Sequence, residues 1–148
     1  MSHDLCVTRF IAAPPAKVWH CMTQRFAEWW RPKPWRTEVE VQEWRSGGLW
    51  KCRMVGPNEG EVSPMDGMLL EVTPGVRFVL TDAFQNGWVP HEPFMVGLFE
   101  ITPEGSGTRY TATARHWTAE ACQTHADMGF TDGWSAVADQ LAAICEAG

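Results

Sequence analysis

The sequence predicts an α+β fold, in which a curved antiparallel sheet of six to seven strands wraps around one long C-terminal helix. Short runs rich in β-branched and aromatic residues recur along most of the chain, separated by short turns, so successive strands are antiparallel. Two short helical segments follow the first strand. The C-terminal segment has apolar residues at helical spacing and is the element able to cover one face of such a sheet.

The first elements are delimited by prolines. Pro14 and Pro15 close the first strand and suit a first helical turn. Pro32 and Pro34 end the second helical segment. The elements predicted for this part of the chain are a strand at residues 5–12 and helices at residues 15–23 and 25–30.

The middle of the chain alternates between apolar and polar residues, as half-exposed strands do. Turns containing glycine separate most of these strands, and a longer loop over residues 85–93 separates two of them. The predicted strands lie at residues 37–44, 49–55, 67–73, 77–84, 94–102 and 108–117.

The remainder, residues 118–147, is predicted as one long helix. Thr118 is a suitable N-cap residue. Gly129 and Gly133 lie inside the segment and indicate either a bend or a close approach to another backbone. Because a curved sheet and a single helix seldom fill all the space between them, we expect a cavity. The apolar stripe comprises Phe130, Trp134, Val137, Leu141 and Ile144.

Length and composition indicate one folded domain spanning residues 1–148, since the chain is 45% hydrophobic and 20% charged. The net charge of −6 disfavours binding to nucleic acids and to anionic membrane surfaces. No apolar run is long enough to span a membrane. A homodimer is compatible with a small protein of this kind.

The five cysteines are scattered and odd in number, and the Met1-Ser2-His3-Asp4 start does not resemble a secretion signal, so we expect reduced thiols in the cytoplasm. Cys122 and His125 form one C-x-x-H pair without a second pair, so no metal is expected. Motifs for cofactors or an activated nucleophile are also missing, so no cofactor is expected and the catalytic residues stay unknown.

His116 is the first candidate for a polar group that orients a ligand. Strand alternation places it on the inward face with Tyr110, Ala112 and Ala114, and the two alanines leave space there. The ordinary alternative is a core or rim histidine bonded to backbone, because site histidines need convergent partners.

His125 is a second candidate, at the mouth of the cavity. On a straight helix its side chain points well away from the stripe containing Trp134, which makes it exposed or sets it against another part of the structure. If Gly129 bends the helix, this argument fails.

Arg9 shares a strand face with the apolar Val7 and Ile11 and therefore needs an acidic partner. Glu71 is the expected partner and Glu100 the alternative. The pair is interpreted either as a structural ion pair or as a recognition site for a polar ligand head.

The nine tryptophans, against a single tyrosine, predict a large aromatic interior, a ligand cavity, or both. Trp19 and Trp134 lie on apolar helix faces and are expected in the core. Those expected to wall the cavity mouth are Trp29, Trp30, Trp35, Trp50 and Trp88; the bland alternative is ordinary core.

A series of short motifs runs along the chain in a fixed order. They are Ala13-Pro14-Pro15-x-x-Val18-Trp19, Trp29-Trp30, Gly47-Gly48-x-Trp50, Gly67-x-Leu69-x-Glu71-Val72-x-Pro74, His125-x-x-Met128-Gly129-Phe130-x-x-Gly133-Trp134 and Gln140-Leu141. Together they resemble the START-like, or SRPBCC, superfamily, and most of all its activator-of-Hsp90-ATPase-homologue-like (polyketide cyclase/dehydrase-like) branch. The resemblance covers residues 5–146. It implies a helix-grip fold and a deep cavity for an apolar or amphipathic small molecule, but not one reaction.

Three functions therefore remain open. The first is binding of a small apolar or aromatic molecule in the cavity, held mainly by burial. The second is a cyclase or dehydratase that uses His116 or a carboxylate as general acid or base in the same cavity. The third is a co-chaperone-like interaction domain. The candidate ligand-binding residues are Trp30, Trp35, Trp50, Trp88, His116, His125, Arg9 and Glu71.

Overall fold

The computed structural model describes residues 3–147, so Met1, Ser2 and Gly148 of the predicted domain lie outside the described residues. The elements in chain order are β1 (His3–Ile11), α1 (Pro15–Gln24), α2 (Phe26–Trp29), β2 (Arg36–Gln42), β3 (Leu49–Val55), β4 (Val62–Thr73), β5 (Arg77–Thr81), β6 (Phe84–Gln85), β7 (Val89–Pro90), β8 (Val96–Glu104), β9 (Gly107–His116), α3 (Ala119–Asp127) and α4 (Phe130–Glu146).

Seven strands form one antiparallel sheet in the order β1-β9-β8-β5-β4-β3-β2, which confirms the predicted fold class. The helix α4 packs against β1 and against α1 and α2. The predicted loop at residues 85–93 contains part of a small hairpin of β6 and β7. Among residues 3–147, no helix is long and apolar enough to cross a membrane.

Aromatic rings fill the space between the sheet and α4. Phe99 stacks on Phe78 with centroids 4.8 Å apart and on Trp134 with centroids 5.5 Å apart. Trp29 is fully buried, and its indole Nε1–H donates to the carbonyl of Cys21 at 3.1 Å. Burying a ring and satisfying its N–H together make Trp29 an ordinary core residue.

The prediction of one helix over residues 118–147 is wrong, because the segment is divided at Gly129. Thr118 is the N-cap as predicted, and its hydroxyl accepts from the Ala121 backbone N–H at 3.0 Å. Gly129 then takes φ +93°, a left-handed conformation that favours glycine, and α4 starts at Phe130. The segment is therefore two helices, α3 and α4, and not one continuous helix.

The sheet opens between β4 and β5, and this opening positions the cavity. β4 starts at Val62 rather than at the predicted Gly67, while its pairing with β5 begins at Met68, opposite Thr81. Residues 62–67 therefore pair in the sheet only with β3. A Cβ atom on Gly67 would lie 2.3 Å from the Thr81 carbonyl oxygen, so the close approach at the fork requires glycine.

Candidate functional site

A cavity of about 380 Å³ lies at this fork, closed on its other side by the α3–α4 corner. One wall comes from β4, from Ser63 to Gly67. The opposite wall comes from the end of β5 and the segment before β8, where the Asp82 carboxylate accepts backbone N–H groups of Phe94 and Met95. This hydrogen bonding holds the segment before β8 against the end of β5.

Aromatic rings and methionines supply seven of the sixteen residues that line the cavity. The aromatic members are Trp30, Trp50, Phe94 and Trp134, and the methionines are Met65, Met95 and Met128. Trp30 and Trp134 meet edge to face, with centroids 5.5 Å apart. A second recess of about 220 Å³ shares Trp30, Trp134 and Met128 with the first. Such walls bury flat apolar molecules and adapt to their shape.

Four polar atoms in cavity-lining residues are buried without a hydrogen-bond partner among residues 3–147. Three are donors: Nε1 of Trp30, Nε1 of Trp50 and Nε of Arg31. The fourth is an acceptor, Oδ1 of Asp66. A buried unsatisfied group costs about 1–3 kcal/mol. Of the six such atoms among residues 3–147, four belong to side chains that line this cavity, and the other two are in Gln42 and Tyr110.

Arg31 is held in a strained backbone conformation at the edge of the cavity. Its φ of +88° lies in the left-handed region, which costs a residue with a side chain about 1–2 kcal/mol. Gln140 of α4 clamps the segment by donating to the carbonyls of Trp29 at 2.9 Å and Arg31 at 2.8 Å. The Gln140 side-chain oxygen also accepts the Lys33 backbone N–H at 3.1 Å. Burial lowers the pKa of Arg31 below its ordinary value.

His116 and His125 form a buried pair behind the cavity. His116 Nδ1 lies 2.8 Å from the carbonyl oxygen of His3, which only accepts, so Nδ1 carries the hydrogen. In the neutral ring, His116 Nε2 is then an acceptor, and His125 Nδ1 donates to it across 2.8 Å. These two hydrogen bonds leave Nε2 of His125 with a lone pair that no group among residues 3–147 uses, and the side chain of His125 lines the cavity.

His125 is 7% exposed, which excludes the exposed alternative for a straight helix and agrees with the other one, in which the ring lies against another part of the structure. Its ring packs against Phe94, Phe130 and Trp134, with centroid distances of 4.7, 5.1 and 5.9 Å. Because α3 and α4 are separate helices, the shared helical wheel used for the prediction does not exist. Burial, with a smaller contribution from His116, lowers the pKa of His125 from 6.5 to about 4, so the ring is neutral at pH 7.

Only some of the predicted site residues lie at the cavity. Trp30, Trp50 and His125 line the cavity, and His116 supports His125 from behind. Trp88 does not line it: the indole is 55% exposed and lies over Gly47. Trp35 packs beside Gly56, also outside the cavity lining. Trp134, predicted as core, both joins the core and lines the cavity.

The predicted pairing of Arg9 with Glu71 or Glu100 is wrong. Arg9 instead bonds Asp139 of α4, with Nε and Oδ1 2.9 Å apart. A β-bulge between Leu69 and Glu71 shifts the alternation of β4 by one residue. Glu71 therefore faces away from the core and forms an ion pair with Arg77 at 2.7 Å, and Glu100 contacts the same Arg77. Neither Arg9 nor Glu71 lines the cavity.

Arg31 and Asp66 are the functional candidates that sequence reasoning missed. Arg31 directly follows Trp29-Trp30 but is not isolated, since Glu28 and Lys33 are close in the sequence, whereas Asp66 is a lone charge in an apolar stretch, between Met65 and Gly67-Met68. That isolation was the available signal for Asp66. Among residues 3–147, no group of three or more His, Cys, Asp or Glu side chains is placed to hold a metal ion.

Comparison with known proteins identifies the family. A family described as "Activator of Hsp90 ATPase homolog 1-like protein" matches residues 12–146. Protein NE0264 from Nitrosomonas europaea is 37% identical, with 94% of this chain and 91% of that chain covered and a TM-score of 0.84. Protein Ms6760 from Mycobacterium smegmatis is 25% identical, with 98% and 91% covered and a TM-score of 0.80.

The AHSA1 (SPO3351) protein from Silicibacter pomeroyi is 20% identical, with 95% of each chain covered and a TM-score of 0.70, and supports the fold alone. No curated protein matches the chain. The match over residues 12–146 agrees with the predicted resemblance and with the sheet and C-terminal helices described above. The chain therefore belongs to the Activator of Hsp90 ATPase homolog 1-like family.

Proposed function

We propose that this domain binds a small, largely apolar or aromatic molecule in the cavity between the sheet and the α3–α4 corner. The volume of about 380 Å³ falls within the usual range of small-molecule sites, about 300–1,000 Å³. The aromatic and methionine lining supplies the apolar contact area that such a ligand requires.

The observation that carries this proposal is the pair of unsatisfied indole N–H groups. Trp30 is 6% exposed and Trp50 is 1% exposed, yet neither Nε1 has a hydrogen-bond partner among residues 3–147. The neighbouring Trp29 is also a buried indole, but its Nε1–H donates to a backbone carbonyl. Each Nε1 exposes less than 1 Å², so a bound molecule with an acceptor atom would satisfy Trp30 and Trp50 after a small shift of their rings.

The test uses the apolar dye N-phenyl-1-naphthylamine. Its fluorescence emission rises when it is buried, and the dye accepts excitation energy from tryptophan. Wild-type protein should bind it saturably. Met65→Trp places a bulky ring in the cavity and should weaken binding by about tenfold or more. Val76→Trp adds the same ring at an exposed position outside the cavity and is the matched control. Equal binding by the two variants would contradict the proposal.

A second candidate is a general acid–base enzyme of the dehydratase or cyclase kind. It is favoured by His125, which is neutral at pH 7, lines the cavity and has its Nδ1–H engaged by His116. Its Nε2 would remove a proton next to a carbonyl group to give an enolate. The imidazolium so formed would return that proton to the β-hydroxyl group, which leaves as water as the carbon–carbon double bond forms.

The β-hydroxy ketone formed from benzaldehyde and acetone is a suitable probe, because loss of water creates a conjugated product that absorbs in the near ultraviolet. His125→Gln should abolish turnover while dye binding persists. Trp117→Gln, an exposed position beside His116, is the control. Failure of the wild type to dehydrate this ketone and related β-hydroxy ketones would remove the enzyme candidate and leave the binding function standing.

We further propose that the domain works in the cytoplasm, in keeping with its five free cysteines, of which Cys21, Cys52 and Cys145 are buried thiols. A homodimer stays a prediction, as does the absence of nucleic-acid and membrane binding. The co-chaperone-like role also stays a prediction. The family description is compatible with it, but no feature of residues 3–147 specifically favours it.

A further inference from the structure

We propose that the cavity selects an organic acid: an apolar or aromatic molecule whose single carboxylate binds Arg31. The inference rests on the proposed binding function and adds to it the chemical class of the ligand. It is carried by the ion pairing of the arginines, by the unsatisfied donors in the cavity lining and by the way the backbone of Arg31 is held.

Arg31 is the one arginine without an ion pair in the part of the chain that the structure describes. The chain has nine arginines, and the other eight each lie within 4.0 Å of a carboxylate oxygen. Those eight lie on the protein surface, whereas the Nε of Arg31 is buried. A guanidinium withdrawn from water without a counter-ion is unfavourable, and a carboxylate from outside would relieve that cost.

The residues around Arg31 do not supply this counter-ion. Asp66 lines the same cavity but makes no ion pair with Arg31 within 4.0 Å, and its own buried Oδ1 is unsatisfied. Cys52 is close enough to influence Arg31, but burial raises the pKa of the Cys52 thiol to about 12, so it is uncharged at pH 7.

The guanidinium of Arg31 matches a carboxylate, which offers about four lone-pair positions to N–H donors. The Nε–H of Arg31 and the indole N–H groups of Trp30 and Trp50 belong to side chains that line the cavity, but each nitrogen exposes less than 1 Å², so these donors reach a bound carboxylate only if the side chains shift. Asp66 and Asp82 line the same cavity and would repel a doubly charged phosphate more strongly than a singly charged carboxylate. The lining therefore favours a monoanion joined to an apolar body.

The backbone conformation of Arg31 is maintained at a cost. Its φ of +88° would suit glycine, yet an arginine is present, and two carbonyls of this segment are anchored by Gln140. Strain of this kind persists where the surrounding structure over-determines it, most often at ligand sites. Holding Arg31 rigidly reduces the entropy lost when an acid binds.

The experiment compares two probes of nearly equal size by calorimetry at pH 7: 2-naphthoate, which is ionised, and 2-acetylnaphthalene, which is neutral. Wild-type protein should bind the acid more tightly by about tenfold or more. Arg31→Met should abolish this preference and leave affinity for the ketone within about twofold. Arg45→Met removes the same charge from an exposed position and should behave as the wild type.

The outcomes separate this inference from the proposed function. Binding of both probes with equal affinity by the wild type, or retention of the acid preference by Arg31→Met, would overturn the role of Arg31 and leave the binding function intact. Binding of neither probe would overturn both. If Arg31→Met does not fold, the ratio measured on the wild type still decides the ligand class, and Arg31→Gln supplies the second variant.

Discussion

His125 Nδ1 lies 2.8 Å from His116 Nε2, so a residue of α3 and the last residue of β9 form one hydrogen-bonded unit behind the cavity. Because the His3 carbonyl fixes the tautomer of His116, a neutral pair has a defined direction of donation that ends at His125 Nε2. The pair joins α3 to β9, and it fixes which nitrogen of His125, a residue that lines the cavity, carries the hydrogen.

The first prediction concerns the pH dependence of stability. The pKa of His125 falls from 6.5 to about 4 on folding, so between these values the unfolded chain binds a proton that the folded chain does not. The free energy of unfolding should therefore be highest above about pH 6.5 and fall by up to about 3 kcal/mol as the pH drops to 4.

Urea unfolding followed at intervals from pH 7.5 to 4 measures this effect. His125→Gln keeps a donor for His116 but does not titrate, so its stability should vary less over this range, whereas His20→Gln, at an exposed position of α1, should follow the wild type. A pH profile of His125→Gln as steep as that of the wild type would assign the dependence to other groups.

The second prediction concerns the backbone strain at Arg31. Arg31→Gly relieves the left-handed conformation and should raise the free energy of unfolding by about 1 kcal/mol relative to Arg31→Ala, which keeps the strained Cβ atom. Urea unfolding of both variants checks this difference, since both lose the guanidinium equally. Equal stabilities would mean that the conformation costs the protein nothing.

The third prediction concerns the clamp on the Arg31 segment. Gln140→Ala removes three hydrogen bonds to the backbone of Trp29, Arg31 and Lys33, and should lower the free energy of unfolding by about 2–3 kcal/mol. Gln123→Ala, whose exposed amide bonds only Asp127, is the control and should change stability by less than about 0.5 kcal/mol. Thermal and urea unfolding measure both. A small effect of Gln140→Ala would show that the segment holds its conformation unaided.

The fourth prediction contrasts two glycines. Gly67→Ala places a Cβ atom 2.3 Å from the backbone oxygen of Thr81 and should cost about 2 kcal/mol or more, because backbone has to move. Gly133→Ala in α4 meets only the Pro32 side chain, at 4.0 Å, and should stabilise the protein by about 0.5–1 kcal/mol. Melting temperatures should therefore move in opposite directions, and a shift of the same sign would refute the packing described at the β4–β5 fork.

Some of the candidate site could be predicted from residue pattern alone. Trp30 and Trp50 are predicted at the cavity mouth because Trp30 ends the second helical segment, before the prolines, and Trp50 lies in the strand that follows a glycine turn, and both line the cavity. Inward placement of His116 followed from strand alternation, and it is buried. These inferences succeed because period-2 alternation and proline boundaries act over a few neighbouring residues.

Where a pattern crosses a local irregularity, prediction failed. The bulge between Leu69 and Glu71 reversed the face of Glu71, and the left-handed Gly129 separated His125 from the stripe of α4. One extra residue in a strand, or one residue with positive φ, changes the direction of every side chain beyond it. The bulge leaves no signal in composition or spacing, whereas the glycine at position 129 indicated a bend without showing that the helix breaks there.

By itself the sequence determined the order of the seven main strands and the two short helices, the antiparallel sheet and an aromatic interior, because short-range periodicity and turn residues control each of these. Only the tertiary structure decided where the cavity opens and which polar atoms lack partners there. The β4–β5 fork, the α3–α4 corner and the Gln140 clamp join segments far apart in the chain. Arg31 emerged as a candidate because hydrogen-bond satisfaction is a property of the packed molecule and not of any one segment.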